Sequence, residues 1–311
     1  MALLDITDLK TCFPSPDGLV KAVDTVDLHI DKGERLGLIG ETGCGKTVLG
    51  LSIVRLLQAT TRIDGRILYN NIDILKASDG KMRQLRGREI AMILQNPTTS
   101  LNPVLKIGDQ IAEAISLHQG YMRKEAWSKA VEMLEAVKIP DSAERAHQYP
   151  HELSGGMRER VMIAMGLACN PNFIIADEPT KGLDARTKAQ IIDLIHETTS
   201  KKALLIITHD LGVAGTICDR IAVMYAGELL EEASSDLILN DPLHPYTRGF
   251  INSLPSRGLV PIPGTSPSLI DPPQGCRFHN RCPQAAKICS KKHPTLMEIE
   301  KGHKVRCLLY N

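Results

Sequence analysis

The feature that most limits how this chain can fold is a glycine-rich octapeptide placed between an apolar run and a helical pattern. It reads Gly40-Glu41-Thr42-Gly43-Cys44-Gly45-Lys46-Thr47 and matches G-x-x-x-x-G-K-[ST]. The preceding Arg35–Ile39 predicts a buried strand, and Lys46–Leu57 carries a helical pattern. A strand, such a loop and a helix in that order form an anion cradle, because loop amides and the helix N-terminus converge on it. We therefore expect a bound polyphosphate, with Lys46 on its β- and γ-phosphates and the Thr47 hydroxyl on Mg²⁺.

Short apolar runs alternate with amphipathic stretches along residues 1–240. The predicted strands are Arg35–Ile39, Ile90–Leu94, Phe173–Ala176, Leu204–Ile207 and Ile221–Met224. The predicted helices are Lys46–Leu57, Gly156–Cys169 and Thr187–Thr198. Strands that are apolar on both faces and joined by helices predict an α/β fold with an at least partly parallel sheet. Between Lys106 and Arg145 apolar residues recur at helical spacing, so we expect a helical insertion in the α/β core.

Two adjacent carboxylates, Asp177 and Glu178, follow the predicted strand Phe173–Ala176. A carboxylate at the C-terminal end of a buried strand suits Asp177 to hold Mg²⁺ through its water shell. Glu178 is then placed to orient or deprotonate an attacking water. The alternative is an ordinary strand exit with two solvated acids. Because the same chain carries a phosphate loop, we favour the catalytic interpretation.

The charge balance argues against a dedicated nucleic-acid binder. Lys and Arg number 37 and Asp and Glu 36, so the chain lacks the basic excess that phosphate contacts require. Aromatic residues make up 4%, which also disfavours base stacking. No stretch approaches the roughly 20 apolar residues of a bilayer-spanning helix. Asp5 and Asp8 interrupt the place where a signal peptide is apolar, so we expect a cytosolic chain.

The C-terminal tail combines prolines, which interrupt regular structure after Asp241, with closely spaced cysteines. Of 8 cysteines, four form the pattern C-x5-C-x6-C-x17-C, namely Cys276, Cys282, Cys289 and Cys307. A disulfide is disfavoured in a reducing compartment, whereas zinc and iron–sulfur clusters both accept four thiolates. The spacing predicts a four-thiolate metal centre without selecting the metal, and four unliganded thiols are the alternative. The remaining cysteines, Cys12, Cys44, Cys169 and Cys218, are interpreted as small buried residues.

The segment Leu153-Ser154-Gly155-Gly156-Met157-Arg158-Glu159-Arg160 resembles the signature motif of ABC-type ATPases, and it precedes the Asp177–Glu178 strand as it does in that family. Gln95 resembles the Q-loop glutamine, Asp184 the D-loop aspartate and His209 the switch histidine. Phe13 is the candidate for the aromatic that stacks on adenine, with a core phenylalanine near a turn as the alternative. Glu159 stands where this family has glutamine, and Lys181-Gly182 replaces the expected Thr-Ala.

This resemblance implies an ABC-type P-loop NTPase core, RecA-like with a mixed sheet, over residues 1–250. It also implies a helical subdomain at about residues 96–160 and a C-terminal extension over residues 251–311. The implied cofactors are ATP and Mg²⁺. ATP is held by Phe13, Gly40, Glu41, Thr42, Gly43, Cys44, Gly45, Lys46 and Thr47. The metal is held by Thr47, Gln95 and Asp177, and the catalytic residues are Glu178, His209 and Gln95. Two such domains pack head to tail in this family, so Ser154, Gly155, Gly156 and Asp184 are expected to close on the partner's nucleotide.

Several further segments are similar to the ATP-binding subunits of dipeptide and oligopeptide importers. They are Ala22-Val23-Asp24, Leu94-Gln95-Asn96-Pro97, Ser100-Leu101-Asn102-Pro103, Tyr149-Pro150-His151-Glu152-Leu153, His244-Pro245-Tyr246-Thr247 and the tail Gly275–Pro283. This similarity implies an ATPase that powers peptide import as a dimer, with a distinct ATPase chain or a second copy. Its other implied partners are two transmembrane permease subunits and, indirectly, an extracytoplasmic peptide-binding protein.

The same similarity implies a peripheral position at the cytoplasmic face of the cell membrane. Because similar subunits carry a [4Fe–4S] cluster in the tail, iron–sulfur is the expected metal centre and zinc is its alternative. Two other functions stay open. One is an importer ATPase for nickel or an oligosaccharide, and the other is a soluble ABC ATPase in DNA repair or translation.

Overall fold

A computed structural model describes residues 2–310, and the chain divides into two compact units. The first unit comprises Met1–Lys76 with Ile206–Asn311, and the second comprises Ala77–Leu205.

The N-terminal part of the first unit is built mainly from strands. Its elements are β1 (Ala2–Ser15), β2 (Gly18–Asp31), β3 (Arg35–Ile39), α1 (Lys46–Val54), β4 (Arg62–Tyr69) and β5 (Ile72–Asp73). An antiparallel sheet has the order β2-β1-β4-β5. The predicted helix after the glycine-rich loop is present but ends at Val54, because Arg55 adopts a left-handed conformation with φ 50°.

The second unit contains most of the helices. Its elements are α2 (Asp79–Leu85), β6 (Ile90–Ile93), α3 (Pro97–Ser100), α4 (Ile107–Gln119), α5 (Arg123–Ala136), α6 (Ser142–Arg145), α7 (Gly155–Leu167), β7 (Phe173–Asp177) and α8 (Ala185–Thr199). β6 and β7 pair in parallel, with Ile90 opposite Phe173. α4 and α5 pack on each other and on α7, so the helices predicted between Lys106 and Arg145 are present.

The chain returns to the first unit through β8 (Ala203–Thr208), which spans the division. The later elements are α9 (Leu211–Ile217), β9 (Arg220–Tyr225), β10 (Glu228–Ser234), α10 (Ser235–Asn240), α11 (Pro245–Asn252), β11 (Met297–Glu300) and β12 (His303–Val305). Within this unit the strands run in the order β11-β12-β10-β9-β3. β3 and β9 are parallel, whereas β9 and β10 are antiparallel. The mixed sheet and the helices confirm the predicted α/β class.

Side chains of the C-terminal tail, among them an arginine and a histidine, contact the buried carboxylates of β10. Arg277 Nε lies 3.1 Å from Glu228 Oε1, and His303 Nε2 lies 2.8 Å from Glu231 Oε1. Glu231 is fully buried, and an unpaired buried carboxylate is costly. The tail therefore supplies the partners that let these acids remain inside the fold.

Candidate functional site

The glycine-rich loop follows β3 and leads into α1, as its sequence predicts. Gly40 (φ 153°) and Gly45 (φ 110°) both have backbone conformations that favour glycine. A Cβ on Gly40 would lie 2.1 Å from the Met224 carbonyl oxygen, and one on Gly45 would lie 2.0 Å from that of Ala22. Positive φ and the absence of space together require glycine at these positions. The conformation of the loop therefore depends on glycine at both positions.

Lys46 is directed into the loop that it follows. Its side chain is buried, and Nζ donates to the carbonyl oxygens of Gly40 at 2.8 Å and Glu41 at 2.9 Å. The ammonium group therefore already lies at the loop, within reach of a phosphate that would replace these weaker acceptors. Burial raises the pKa of the neighbouring Cys44 thiol, which supports a packing role for this cysteine.

Glu41 is held by the C-terminal part of the same unit, which the sequence analysis did not foresee. Its carboxylate accepts two hydrogen bonds from Arg281, at 2.9 and 3.0 Å, and one from the Ser266 hydroxyl. Its backbone N–H donates to the Tyr246 hydroxyl at 3.0 Å. Partial burial alone would raise the pKa of Glu41, but the hydrogen bonds from Arg281 and Ser266 and the charge of Arg281 hold it below its usual range.

Two other residues predicted for the nucleotide site also lie in the first unit. Phe13 is half-buried on β1 opposite Val20. His209 is exposed directly after β8, and the next residue, Asp210, caps α9 by accepting from the Val213 amide at 3.2 Å. The roles of Phe13 on adenine and of His209 at the γ-phosphate stay predictions.

The two predicted catalytic carboxylates lie in the second unit, at the end of β7. Asp177 and Glu178 are both buried, at 1% and 8% exposure. Glu178 has a φ of 48°, a rare conformation for a residue that is not glycine. Such strain is concentrated at functional sites. The strand exit is therefore not a pair of solvated acids, which was the alternative interpretation.

The signature segment forms the start of α7. Ser154 is the N-cap, and its hydroxyl accepts from the Met157 amide at 3.3 Å. Ser154 and Gly155 are both exposed. A Cβ on Gly156 would lie 2.6 Å from Thr187 Cγ2, so this glycine lets α7 approach α8 closely. Exposed amides at a helix N-terminus can bind an anion supplied from outside the unit.

Asp184 has a local role at the start of α8. Its carboxylate accepts from the amides of Arg186 and Thr187, both at 3.0 Å, and from the Thr187 hydroxyl at 2.6 Å. These hydrogen bonds lower the pKa of Asp184. The residue thus caps a helix, and the predicted contact with a partner's nucleotide stays a prediction.

A cavity of about 410 Å³ in the second unit brings two of the predicted site residues together, Gln95 and Gly155. Arg158, Glu159 and Lys181 also line it. Gln95 therefore lies beside the start of α7, and its role as the Q-loop glutamine stays a prediction. Glu159 is 3% exposed, and its Oε1 has no hydrogen-bond partner among the described residues. Burial raises the pKa of Glu159 to about 8.

The four tail cysteines lie in one region of the first unit. Cys276 and Cys307 are buried, and the Cys276 amide donates to the Cys289 carbonyl oxygen at 2.7 Å. Burial, followed by the charges that Cys307, Cys289 and Cys282 carry when ionised, raises the pKa of Cys276 to about 11. Within residues 2–310, however, no three His, Cys, Asp or Glu side chains are arranged to hold a metal ion. The iron–sulfur prediction and its zinc alternative are therefore not supported by this arrangement.

The part of the chain that the structure describes contains no helix with the length and apolar character needed to span a membrane.

Models of two known protein families match separate parts of the chain. The model of the ABC transporter family matches residues 23–181. The model of the oligopeptide/dipeptide transporter C-terminal region matches residues 230–289. The second match covers residues 230–234 of β10 and three of the four tail cysteines, Cys276, Cys282 and Cys289.

Curated relatives are similar along almost the whole chain. The probable peptide ABC transporter ATP-binding protein y4tR of Sinorhizobium fredii is 47% identical, over 98% of this chain and 94% of its own length. The oligopeptide transport ATP-binding protein OppD of Salmonella typhimurium is 43% identical, over 94% and 89%. The dipeptide transport ATP-binding protein DppD of Bacillus subtilis is 43% identical, over 99% and 94%.

Solved structures show the same fold. The dimeric structure of MJ0796, a bacterial ABC transporter cassette, is 28% identical with a TM-score of 0.67, covering 75% of this chain and 98% of its own. The structure of cbiO1 from Clostridium perfringens is 24% identical with a TM-score of 0.64, covering 77% and 91%. With identities of 43–47% along nearly its whole length, the chain belongs to the ATP-binding proteins of ABC transporters, in the branch of the oligopeptide and dipeptide transport proteins.

Proposed function

We propose that this ATPase powers the import of dipeptides or oligopeptides across the cytoplasmic membrane. The observation that carries the proposal is the match of residues 230–289 to the oligopeptide/dipeptide transporter C-terminal region. The names of the full-length relatives, which are peptide, oligopeptide and dipeptide transport proteins, support it. The peptide itself need not touch this chain, because the work is done by binding and hydrolysing ATP.

In the proposed reaction, the loop amides and Lys46 bind the phosphates of ATP. The position of Lys46 Nζ beside the Gly40 and Glu41 carbonyl oxygens supports this role. We propose Thr47, Asp177 and Gln95 as the residues that would hold Mg²⁺, because hydroxyl, carboxylate and amide oxygens are the ligands that this ion prefers. The ion, when bound, would supply positive charge that offsets the charge of the phosphates.

Glu178 is the proposed general base, and His209 is proposed to contact the γ-phosphate and the attacking water. A carboxylate orients a water and accepts its proton most effectively when the protein fixes its direction. The burial of Glu178 and its restricted backbone support that role. We keep the assignment of Phe13 to adenine as part of the same proposal.

We further propose that two such chains share each nucleotide. Ser154, Gly155 and Gly156 would bind the γ-phosphate held by the partner, and Asp184 would lie at the shared boundary. The exposure of Ser154 and Gly155 at the start of α7 supports this role. Two solved structures of the similar cassette MJ0796 are dimeric, and one of them is bound to ADP and Pi, which also supports this proposal. The partner is a distinct ATPase chain or a second copy.

The proposed assembly also includes two transmembrane permease subunits and, indirectly, an extracytoplasmic peptide-binding protein, but no nucleic acid. The chain would sit at the cytoplasmic face of the membrane as a peripheral subunit. Residues 95–145 are the proposed docking region for the permeases. We retain residues 1–250 as the proposed nucleotide-binding domain, with a helical subdomain near 96–160 and an extension over 251–311.

For the tail, a [4Fe–4S] cluster, with zinc as its alternative, stays a prediction. The four thiols lie near enough for their charges to interact, yet no three are placed to hold an ion among the residues described. We derive no step of the reaction from a metal centre there.

The test is an uptake assay in cells whose only copy of this chain carries Glu178→Gln. We expect loss of labelled dipeptide or oligopeptide uptake. Glu197→Gln is the matched control, because Glu197 makes only an exposed pair with Lys138 at 2.6 Å. Peptide uptake that continues while nickel or oligosaccharide uptake stops would overturn the choice of solute. Retention of all uptake, with loss of DNA repair or translation, would overturn the transport function itself.

A further inference from the structure

The C-terminal extension contacts the phosphate loop through Ser266 and the buried Arg281, and Arg281 carries the charge. Arg281 Nη1 lies 2.9 Å from Glu41 Oε2, and Nη2 lies 3.0 Å from Glu41 Oε1. Two parallel hydrogen bonds of this kind form the strongest side-chain pairing available to a carboxylate. The arginine side chain is 6% exposed and that of Glu41 is 25% exposed, so solvent screens the pair little.

The guanidinium is fixed independently of Glu41. Arg281 Nε donates to the Pro263 carbonyl oxygen at 2.8 Å, and Nη1 contacts the Tyr225 hydroxyl at 3.2 Å. Its central carbon lies 5.7 Å from the centre of the Tyr225 ring and 6.0 Å from that of Phe278. These contacts restrict the arginine side chain without any contribution from Glu41, so that pairing with Glu41 costs less conformational entropy.

The carboxylate, the amide and the carbonyl oxygen of Glu41 all form hydrogen bonds. Arg281 and Ser266 bind its carboxylate, Tyr246 accepts from its amide, and Lys46 donates to its carbonyl oxygen. The residue lies in the second position of the loop that is expected to hold a polyphosphate. A free carboxylate there would repel the phosphates, and the repulsion would be strong in a partly buried site.

From this arrangement we infer that Arg281 is a positioning residue for the nucleotide site, acting through Glu41. It neutralises the one carboxylate of the phosphate loop and fixes the loop's second residue in place. The C-terminal extension therefore contributes to ATP affinity, although Arg281 is 240 residues from Glu41 in sequence. The inference rests on the nucleotide site described above, and its test separates the two.

The test is a double-mutant cycle on the full-length chain, read out by the Kd of a fluorescent ATP analogue with Mg²⁺ and by ATPase KM and kcat. We expect Arg281→Gln to raise Kd and KM roughly tenfold, within the range for directly coupled neighbours. We expect kcat to change less than twofold, roughly, because the repulsion acts on the ground state and the transition state alike.

The decisive variant combines Arg281→Gln with Glu41→Gln. Removing the carboxylate removes the repulsion, so we expect the double variant to bind the analogue several-fold more tightly than Arg281→Gln alone, which gives the coupling energy between the two residues. Arg281→Lys should fall between wild type and Arg281→Gln, since an ammonium keeps the charge but cannot make both hydrogen bonds. If Arg281→Gln does not fold, Arg281→Lys takes its place in the same cycle.

Arg306→Gln is the matched control. Arg306 is also buried in the tail and also adjoins a cysteine, but it donates to the carbonyl oxygens of Leu229 and Pro294 rather than to the loop. We expect it to lower the melting temperature without changing Kd. Equal effects of the two arginine variants on Kd, or a double variant no better than Arg281→Gln, would overturn the inference. A wild-type chain that does not bind ATP would instead overturn the nucleotide site.

Discussion

Glu159 is the residue whose replacement has the most sharply defined consequence for stability. It stands where the family signature leads us to expect glutamine, and the structure buries it in the wall of the cavity in the second unit. Its Oε1 has no partner within the described residues 2–310. Burial disfavours the charged carboxylate and raises its pKa from 4.5 to about 8. We predict that Glu159→Gln stabilises the chain increasingly as the pH rises.

The magnitude follows from the two pKa values. Below pH 4.5 the carboxyl is protonated in both the folded and the unfolded chain, so its full contribution to stability is present there. Between pH 4.5 and about 8 only the folded chain binds the proton, and the free energy of unfolding falls by about 1.4 kcal/mol per pH unit. The resulting loss is about 3 kcal/mol at pH 7 and about 5 kcal/mol above pH 8. Glutamine has almost the same shape and no charge, so the variant avoids this loss.

The assay is thermal unfolding of wild type and Glu159→Gln from pH 5 to pH 9. At roughly 2–4 °C per kcal/mol, we expect the variant to melt about 6–12 °C higher at pH 7. The difference should shrink to roughly 2–3 °C at pH 5 and approach zero only below pH 4.5, where the carboxyl is protonated in both states. Glu135→Gln, an exposed glutamate on α5, serves as the control and should change little at any pH. A difference between wild type and Glu159→Gln that is independent of pH would refute the reasoning.

Three further predictions concern the nucleotide site and the tail. Lys46→Ala should weaken ATP binding roughly a hundredfold, because the phosphates lose the ammonium beside the loop; unchanged affinity in a nucleotide titration would contradict the loop assignment. Glu178→Gln should bind ATP normally, stop hydrolysing it and accumulate as an ATP-bound dimer in gel filtration; undiminished turnover would remove Glu178 from the role of base. Metal analysis of anaerobically purified protein tests the tail: brown protein that contains iron would support the [4Fe–4S] prediction, colourless protein with one zinc per chain would favour the alternative, and absence of both metals would agree with the arrangement of the described residues.

The sequence predicts the central strands and the five longest helices, α1, α4, α5, α7 and α8, because their patterns are local. β3 and β7 are apolar on both faces, and burial on both faces follows directly from that composition. The antiparallel strands β1 and β2 were not predicted. Their register shifts, for example between Ile6 and Leu9, interrupt the alternation by which a half-buried strand is identified. The positive φ of Asp8 lies within one such irregularity.

The candidate site also contains some residues that the sequence predicts and others that it does not. The loop glycines and Lys46 were predictable because one short motif contains both the conformational requirement and the charge. The pairing of Arg281 with Glu41 was not predictable from the sequence, because the two residues are 240 positions apart and neither of them alone indicates an ion pair. The burial of Glu159 was equally hidden, although its departure from the family pattern marked the position. The spacing of nearby residues therefore identifies the motifs, whereas their long-range partners and their burial are seen only in the folded chain.

If this chain holds half of a shared nucleotide site, its ATPase rate per chain must fall when dilution separates the two halves. The measurement is that rate during dilution, for wild type and for Ser154→Arg, with light scattering to report the oligomeric state. We predict that the monomeric chain is nearly inactive, that activity returns with dimerisation or with the ATPase partner, and that Ser154→Arg stays inactive throughout. A fully active monomer, with Ser154→Arg equal to wild type, would contradict the account.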